Sequence, residues 1–185
     1  PIAEIGDSDD DIEILREDLM TILADAVSDT ATIRFDDSIK ALADNDGHVD
    51  AQFASGRTGR YDLVVGADGQ YSAVRRLVFG PDEHHLRHLG VYFALADLPG
   101  EPHTEGTNSI YNVPGRMAGV FRYGGKAAAV FEFRSESRDY DPDDVDNKKQ
   151  ILFDAFADYP SWRIPELLEA ARVDPAFYFS AASQV

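Results

Sequence analysis

Tyr61-Asp62-Leu63-Val64-Val65-Gly66-Ala67-Asp68-Gly69-Gln70-Tyr71-Ser72-Ala73-Val74-Arg75-Arg76 decides how the rest of the chain is read. Leu63 to Val65 is a short unbroken apolar run, too short for a helix and bounded by polar residues and glycine. That pattern predicts a strand buried on both faces, as in an α/β layer. Gly66 and Ala67 remove bulk where another element must come close, and Gly69 can take the positive φ of a sharp turn. Asp68 is left at the carboxyl end of the strand. Open α/β sheets bind ligands there, and an ionised carboxylate accepts hydrogen bonds from sugar hydroxyls. Ser72 is a good N-cap for a short helix whose Val74, Leu77 and Val78 are expected to pack back onto the sheet. The plainer alternative is a tight strand-to-helix turn in which Asp68 caps backbone amides.

Upstream of this stretch, residues 7 to 13 form an acidic run that reads as a solvated loop, with Ile12-Glu13-Ile14 alternating like a short strand. Leu15, Leu19, Ile22, Leu23 and Ala26 then recur at helical spacing, predicting an amphipathic helix from about Arg16 to Val27. Arg16 stands out because the helix dipole disfavours a cation at an N-terminus, so it calls for a nearby anion or acceptor. A surface pair with Asp10, Asp11 or Glu13 would answer that call at little energetic gain. Thr32 to Phe35, Ser38 to Ala43 and His48 to Phe53 read as a meander, with Asp46-Gly47 as a hairpin turn and Gly56 to Gly59 as a second turn.

Downstream, Pro81 to His88 is a polar, Pro-started linker. His84 and His88 could share a helical face, but no His-Glu-x-x-His pattern accompanies them and no metal site is assigned. A second sheet follows. Leu89 to Leu98, Asn108 to Val113, Met117 to Tyr123 and Ala127 to Arg134 have strand length, and Gly124-Gly125 forms a turn. By period two, Phe131 and Phe133 share a face, as do Phe121 and Tyr123, while Phe93 lies between Val91 and Leu95. A helix is predicted from about Val145 to Tyr159, with Val145, Leu152, Phe156 and Tyr159 on one stripe and an acidic loop capping it. Ile164-Pro165-Glu166 opens a shorter helix carrying Leu167, Leu168 and Ala171 inward. Phe177 to Ala182 reads as a last strand.

The 185 residues are 44% hydrophobic and 11% aromatic, enough for one domain with a real core or for one domain and part of another. The net charge of −17 repels phosphate, which argues against nucleic acid and anionic membranes as partners and obliges any anionic cofactor to find local arginines. With no cysteine there is no disulfide framework, thiolate catalysis or cysteine zinc site, consistent with a cytoplasmic location. No apolar run approaches a membrane span. The start at Pro1 and the stop at Ser183-Gln184-Val185, directly after a strand-like segment, predict a piece of a longer polypeptide.

Asp62, Gly66-Ala67-Asp68-Gly69, Ser72 and Arg75 resemble the DG motif of the class A flavoprotein monooxygenases, the family of para-hydroxybenzoate hydroxylase and related aromatic and polyketide hydroxylases. Glu13-x-x-Arg16-x-x-Leu19, upstream of that motif in family order, is similar to the segment that starts the helix beside the flavin. The resemblance implies an α/β (α+β) fold: part of a Rossmann-like FAD-binding domain over residues 1–80, then over 81–185 a mixed or antiparallel-sheet substrate domain with helices on one side. It implies Arg16, Asp68, Gly69 and Arg75 as cofactor-binding residues, with Asp68 near the flavin's sugar chain and Arg75 near the motif's carboxylates or a pyrophosphate. It implies FAD and NAD(P)H as cofactors, dioxygen as co-substrate and a small, electron-rich substrate, aromatic or polyketide-like. In the family one face of such a sheet roofs the flavin ring.

No paired carboxylates at catalytic spacing, Ser-His-Asp set or nucleophile elbow is present, so no residue of the chain is assigned a catalytic role. That is damaging for hydrolysis and expected for a flavin oxygenase, in which the cofactor activates oxygen and the protein supplies position and shielding. Two departures from the family pattern stand out. No Gly-x-Gly-x-x-Gly follows a strand, and the family's later Gly-Asp motif is missing, since Gly6-Asp7 continues into Ser8-Asp9 at the wrong end. The residues therefore match the middle of the family's chain and are not expected to hold FAD stoichiometrically alone. A related flavin enzyme of the same fold, such as a halogenase or reductase, and a non-catalytic acidic ligand-binding module remain as alternatives.

Overall fold

The computed structural model describes residues 2–6, 14, 16–101, 107–141 and 144–185, and for 2–6 and Glu17 it describes the backbone. The chain divides into two compact units, one built on His88–Gln184 together with the N-terminal strand, the other on residues up to Arg87. The fold is mixed α and β. Among the described residues it holds two sheets and four helices.

In the larger unit β1 (Ile2–Gly6), β5 (Arg87–Asp97), β6 (Thr107–Val113), β7 (Arg116–Tyr123), β8 (Lys126–Arg134) and β9 (Tyr178–Gln184) form a six-stranded sheet in the order β1-β6-β7-β8-β5-β9. The β1/β6, β6/β7, β7/β8 and β8/β5 pairs are antiparallel. Gly124 and Gly125 make the β7–β8 turn at φ 50° and 79°, the positive values that tight hairpins favour. Register puts Tyr92 opposite Phe133, Ala94 opposite Phe131 and Ala96 opposite Ala129, so one face carries the core. Helices α3 (Val145–Phe156) and α4 (Ile164–Val173) cover it with Ile151, Leu152, Ala155, Phe156, Ile164, Leu167 and Ala171, all buried. Tyr92 stacks between Phe133 and Phe179, each 5.4 Å away between centroids. Phe131 meets Phe156 edge-on at 5.3 Å. Asp144 caps α3 by accepting from the Asn147 amide at 2.9 Å. Of the expected α3 stripe, Leu152 and Phe156 are buried whereas Val145, in the first turn beyond the sheet's reach, is exposed.

The smaller unit holds α1 (Arg16–Val27), the antiparallel meander β2 (Ile39–Asn45), β3 (His48–Phe53) and β4 (Thr58–Tyr61), and α2 (Ala73–Phe79). Gly47 at φ 85° makes the expected Asp46-Gly47 turn. Three expectations are not met here. Leu63 to Val65 does not form a strand but runs as extended chain after β4, with Leu63 and Val65 each 74% exposed. A strand needs a neighbour for its amides and carbonyls, and pairing with β3 ends at Val49–Tyr61. Thr32 to Phe35 is likewise unpaired coil. α2 lies against β2 with Val74 half-buried, but Leu77 and Val78 are exposed rather than packed. The expected strand at Ile12-Glu13-Ile14 lies, except for Ile14, outside the described residues.

Candidate functional site

The turn between the extended segment and α2 is built by its own side chains. Gly69 takes φ 80° and its carbonyl accepts from the Ser72 amide at 3.2 Å. A Cβ on Gly66 would lie 2.8 Å from Val74 Cγ1, so the missing side chain is what lets the extended segment and α2 come this close. Ser72 is the N-cap of α2 and is buried. Its Oγ accepts from the Arg75 amide at 2.9 Å and donates to Asp68 Oδ1. Asp68 Oδ2 accepts from the amides of Ala73 at 2.7 Å and Val74 at 3.1 Å. The Ser72 hydroxyl, helped by those amides, holds the Asp68 carboxyl below the usual carboxylate range against a partial burial that opposes it.

Asp68 thus caps α2, as the plainer reading of the sequence has it, and it does so while exposed to solvent. The two readings are compatible. A carboxylate held ionised and oriented by donors on its inner side retains lone-pair capacity on Oδ1 for one further donor arriving from outside, such as a hydroxyl.

Arg75 is committed elsewhere. Its side chain is 11% exposed, and Nη2 donates to the Gln70 carbonyl at 2.6 Å and to Asp82 Oδ1 at 2.5 Å. Arg76 Nη1 donates to the Tyr71 carbonyl and to Asp82 Oδ2, both at 2.8 Å. The carboxylate beside Arg75 is therefore Asp82, which follows Pro81 and belongs to the one-turn helix Asp82–His84. Burial works to raise the Asp82 carboxyl, but hydrogen bonds from Arg75 and Arg76 outweigh it and hold the group low. Sequence reading missed Asp82; the distance of an acid from Arg75 across a chain reversal leaves no periodic signal. Arg16 is the first residue of α1 and exposed. Among the described residues no hydrogen bond or ion pair joins it to Asp68, Gly69 or Arg75. The structure brings Asp68, Gly69 and Arg75 into one turn and gives Arg16 a separate place at a helix start.

No group of three or more metal-ligating side chains occurs among the described residues. His84 lies in the one-turn helix and His88 in β5, so they share no helical face. No helix there is long and apolar enough to cross a membrane.

Comparison with known proteins decides the family. No family model matches the chain. A flavin-dependent monooxygenase of Legionella longbeachae is 35% identical over 184 residues, which is 96% of this chain and 46% of that protein. The chain belongs to the class A flavoprotein monooxygenases. It spans about half the length of the curated relatives it matches. The crystal structure of tetracycline destructase Tet(55) superposes with a TM-score of 0.80 at 32% identity, over 92% of this chain and 45% of that one. A Klebsiella pneumoniae HpxO structure, complexed with FAD and uric acid, shares the fold at 19% identity with a TM-score of 0.59, over 91% of this chain and 42% of its own. In this chain the Asp-Gly turn and the six-stranded sheet are the parts the resemblance singled out.

Proposed function

We propose that this chain supplies the Asp-Gly turn and the substrate-domain sheet of an FAD-dependent NAD(P)H monooxygenase that hydroxylates a small aromatic or polyketide-like substrate. The observation that carries the proposal is the Asp68 carboxylate: ionised, fixed by Ser72, Ala73 and Val74, and open to solvent on its outer side. That group fits a sugar-chain hydroxyl of FAD, and Gly69, with no side chain and φ 80°, leaves its approach clear. Arg75 fixes the turn through Nη2, held by Gln70 and Asp82, while its Nε is buried without a partner among the described residues. Arg16 is the cation assigned to the cofactor's other contact, at the start of α1. Residues up to 80, apart from the strand β1 that joins the larger sheet, form the cofactor side and residues 81–185 the substrate side. The likeness to a tetracycline destructase supports a polycyclic, polyketide-like substrate.

FAD, when bound, accepts hydride from NAD(P)H and activates dioxygen. The chain's own residues orient and enclose. The sheet face turned away from α3 and α4 presents Val91, Phe93, Leu95, Met117 and Phe121, half-buried, beside Glu132 and Arg134, a surface whose apolar part is able to exclude water from the reacting ring.

The 185 residues alone, which contain no Gly-x-Gly-x-x-Gly turn, are expected to lose flavin absorbance on dialysis. The test is to purify the complete polypeptide encoded by the gene, record its flavin spectrum and follow NAD(P)H oxidation with polycyclic phenols under labelled dioxygen. One labelled oxygen atom in the product is expected. A colourless protein, or flavin reduction with no oxygen incorporated, overturns the proposal. A purely structural Asp-Gly turn is the second reading, favoured by the completeness of Asp68's helix cap, and it predicts that Asp68→Ala leaves the flavin content of the complete polypeptide unchanged.

A further inference from the structure

The bend that presents Asp68 is tied to a residue from beyond the far end of α2. Gly69 turns the chain at φ 80°, and each of the next two carbonyls accepts from an arginine. Arg75 Nη2 donates to the Gln70 carbonyl at 2.6 Å, and Arg76 Nη1 donates to the Tyr71 carbonyl at 2.8 Å. One neutral acceptor is a weak reason for a long side chain to give up its rotamer freedom. Asp82 supplies the stronger one. Its Oδ1 accepts from the same Nη2 of Arg75 at 2.5 Å, and its Oδ2 from the same Nη1 of Arg76 at 2.8 Å, so a single carboxylate anchors both cations over both carbonyls.

Asp82 is itself fixed. Pro81 precedes it at φ −67°, and the Asp82 carbonyl accepts from the amides of His85 at 2.9 Å and Leu86 at 2.7 Å. An anchored carboxylate, two arginines and two adjacent carbonyls thus close a clasp across the 7 residues of α2. Apolar support is thin there, since Leu77, Val78 and Phe79 are exposed. What the clasp fixes is the backbone between Asp68 and the Ala73 and Val74 amides that aim it. The Ser72 hydroxyl is one donor among three to that carboxylate, whereas the bend is common to all three.

We propose that Asp82 is a positioning residue of the cofactor site: through Arg75 and Arg76 it keeps the Gly69–Ser72 bend in the shape that turns the Asp68 carboxylate outward. The inference rests on the assignment of Asp68 to FAD. Asp82 acts on the bend and Asp68 on the cofactor, so the two effects run in series. With the Asp68 carboxylate removed, Asp82 has nothing left to position.

The test is a double-mutant cycle on the complete polypeptide, stripped of flavin and titrated with FAD, following flavin fluorescence. Asp82→Asn keeps the size of the side chain but loses its charge and one of its two acceptor oxygens. It is expected to weaken FAD binding about 10-fold, and less than about 2-fold when Asp68→Ala is already present. Arg76→Gln, at an exposed position, carries the same cycle where Asp82→Asn costs the fold; a loss of about 3-fold is expected, again absent beside Asp68→Ala. Equal losses with and without the Asp68 carboxylate would make the clasp a general stabiliser and overturn the proposal. Full affinity in Asp82→Asn and Arg76→Gln while Asp68→Ala binds weakly overturns it too, and leaves the Asp68 assignment standing. Full affinity in Asp68→Ala overturns that assignment and this inference with it.

Discussion

The two units were written with similar sequence signals and ended in opposite states. In the sheet unit, Ala94, Ala118, Val120, Ala129 and Phe131 are completely buried, and the strands and helices that cover them are all at hand. In the unit that carries the Asp-Gly turn, Ala51 and Ser72 are the buried residues among those described, while Leu63, Val65 and Phe79 stand about 70% exposed or more. An apolar run fixes a strand only when a neighbouring strand and a covering layer are within reach. Where the cover is missing, order falls to local polar devices. Ser72 bridging Asp68 and the Arg75 amide, and Asp82 bridging Arg75 and Arg76, hold the turn without a core beneath it.

The contrast can be broken by substitution. The largest effect belongs to the closed unit: Phe131→Ala, at full burial against Phe156, is expected to cost about 4 kcal/mol in denaturant unfolding. A loss near that of a surface change would mean the sheet's core is loose.

Next comes the ion cluster of the same unit. Glu101 accepts from Arg163 at 2.8 and 2.6 Å and from Arg122 at 2.7 Å. The Arg163 hydrogen bonds lead in holding its carboxyl below the usual range. Because the folded value lies below the unfolded one, the stabilisation is complete above the ordinary glutamate range and is lost as pH falls through the lower folded value. Glu101→Gln is expected to cost about 3 kcal/mol at neutral pH, because it removes the negative charge that faces Arg122 and Arg163 in a poorly solvated place. It is also expected to flatten the acid limb of the stability curve; an unchanged acid limb would remove Glu101 from the account.

The smallest of these effects sharpens the comparison from the open side. Gly66→Ala, whose Cβ would meet Val74, is expected to cost about 2 kcal/mol and to raise amide exchange in α2 while leaving β7 and β8 untouched. Equal exchange changes in both units would show that they do not respond separately.

Legibility followed the same divide. The bounds of α1, the β3 and β6 to β8 strands, and both glycine turns were readable because period and turn chemistry are local. Tyr92, the centre of the aromatic core, carried no mark, since only register against Phe133 and Phe179 reveals which face of β5 points inward. β1 escaped because its partner β6 lies a hundred residues away and short strands announce nothing by themselves. At the candidate site Ser72 as a cap, Gly69 as a positive-φ turn and Asp68 as a projecting acid were all visible. Asp82 was not, and it is the residue that occupies Arg75.

The most direct test compares flavin bound by the complete polypeptide with Asp68→Ala and with Ser72→Ala. Both remove part of the α2 cap, but only the first removes the outward-facing carboxylate. Flavin absorbance after gel filtration is expected to fall by about 10-fold or more in Asp68→Ala and to stay near the unaltered level in Ser72→Ala. Equal flavin in the two variants would contradict the assignment of Asp68 to the cofactor.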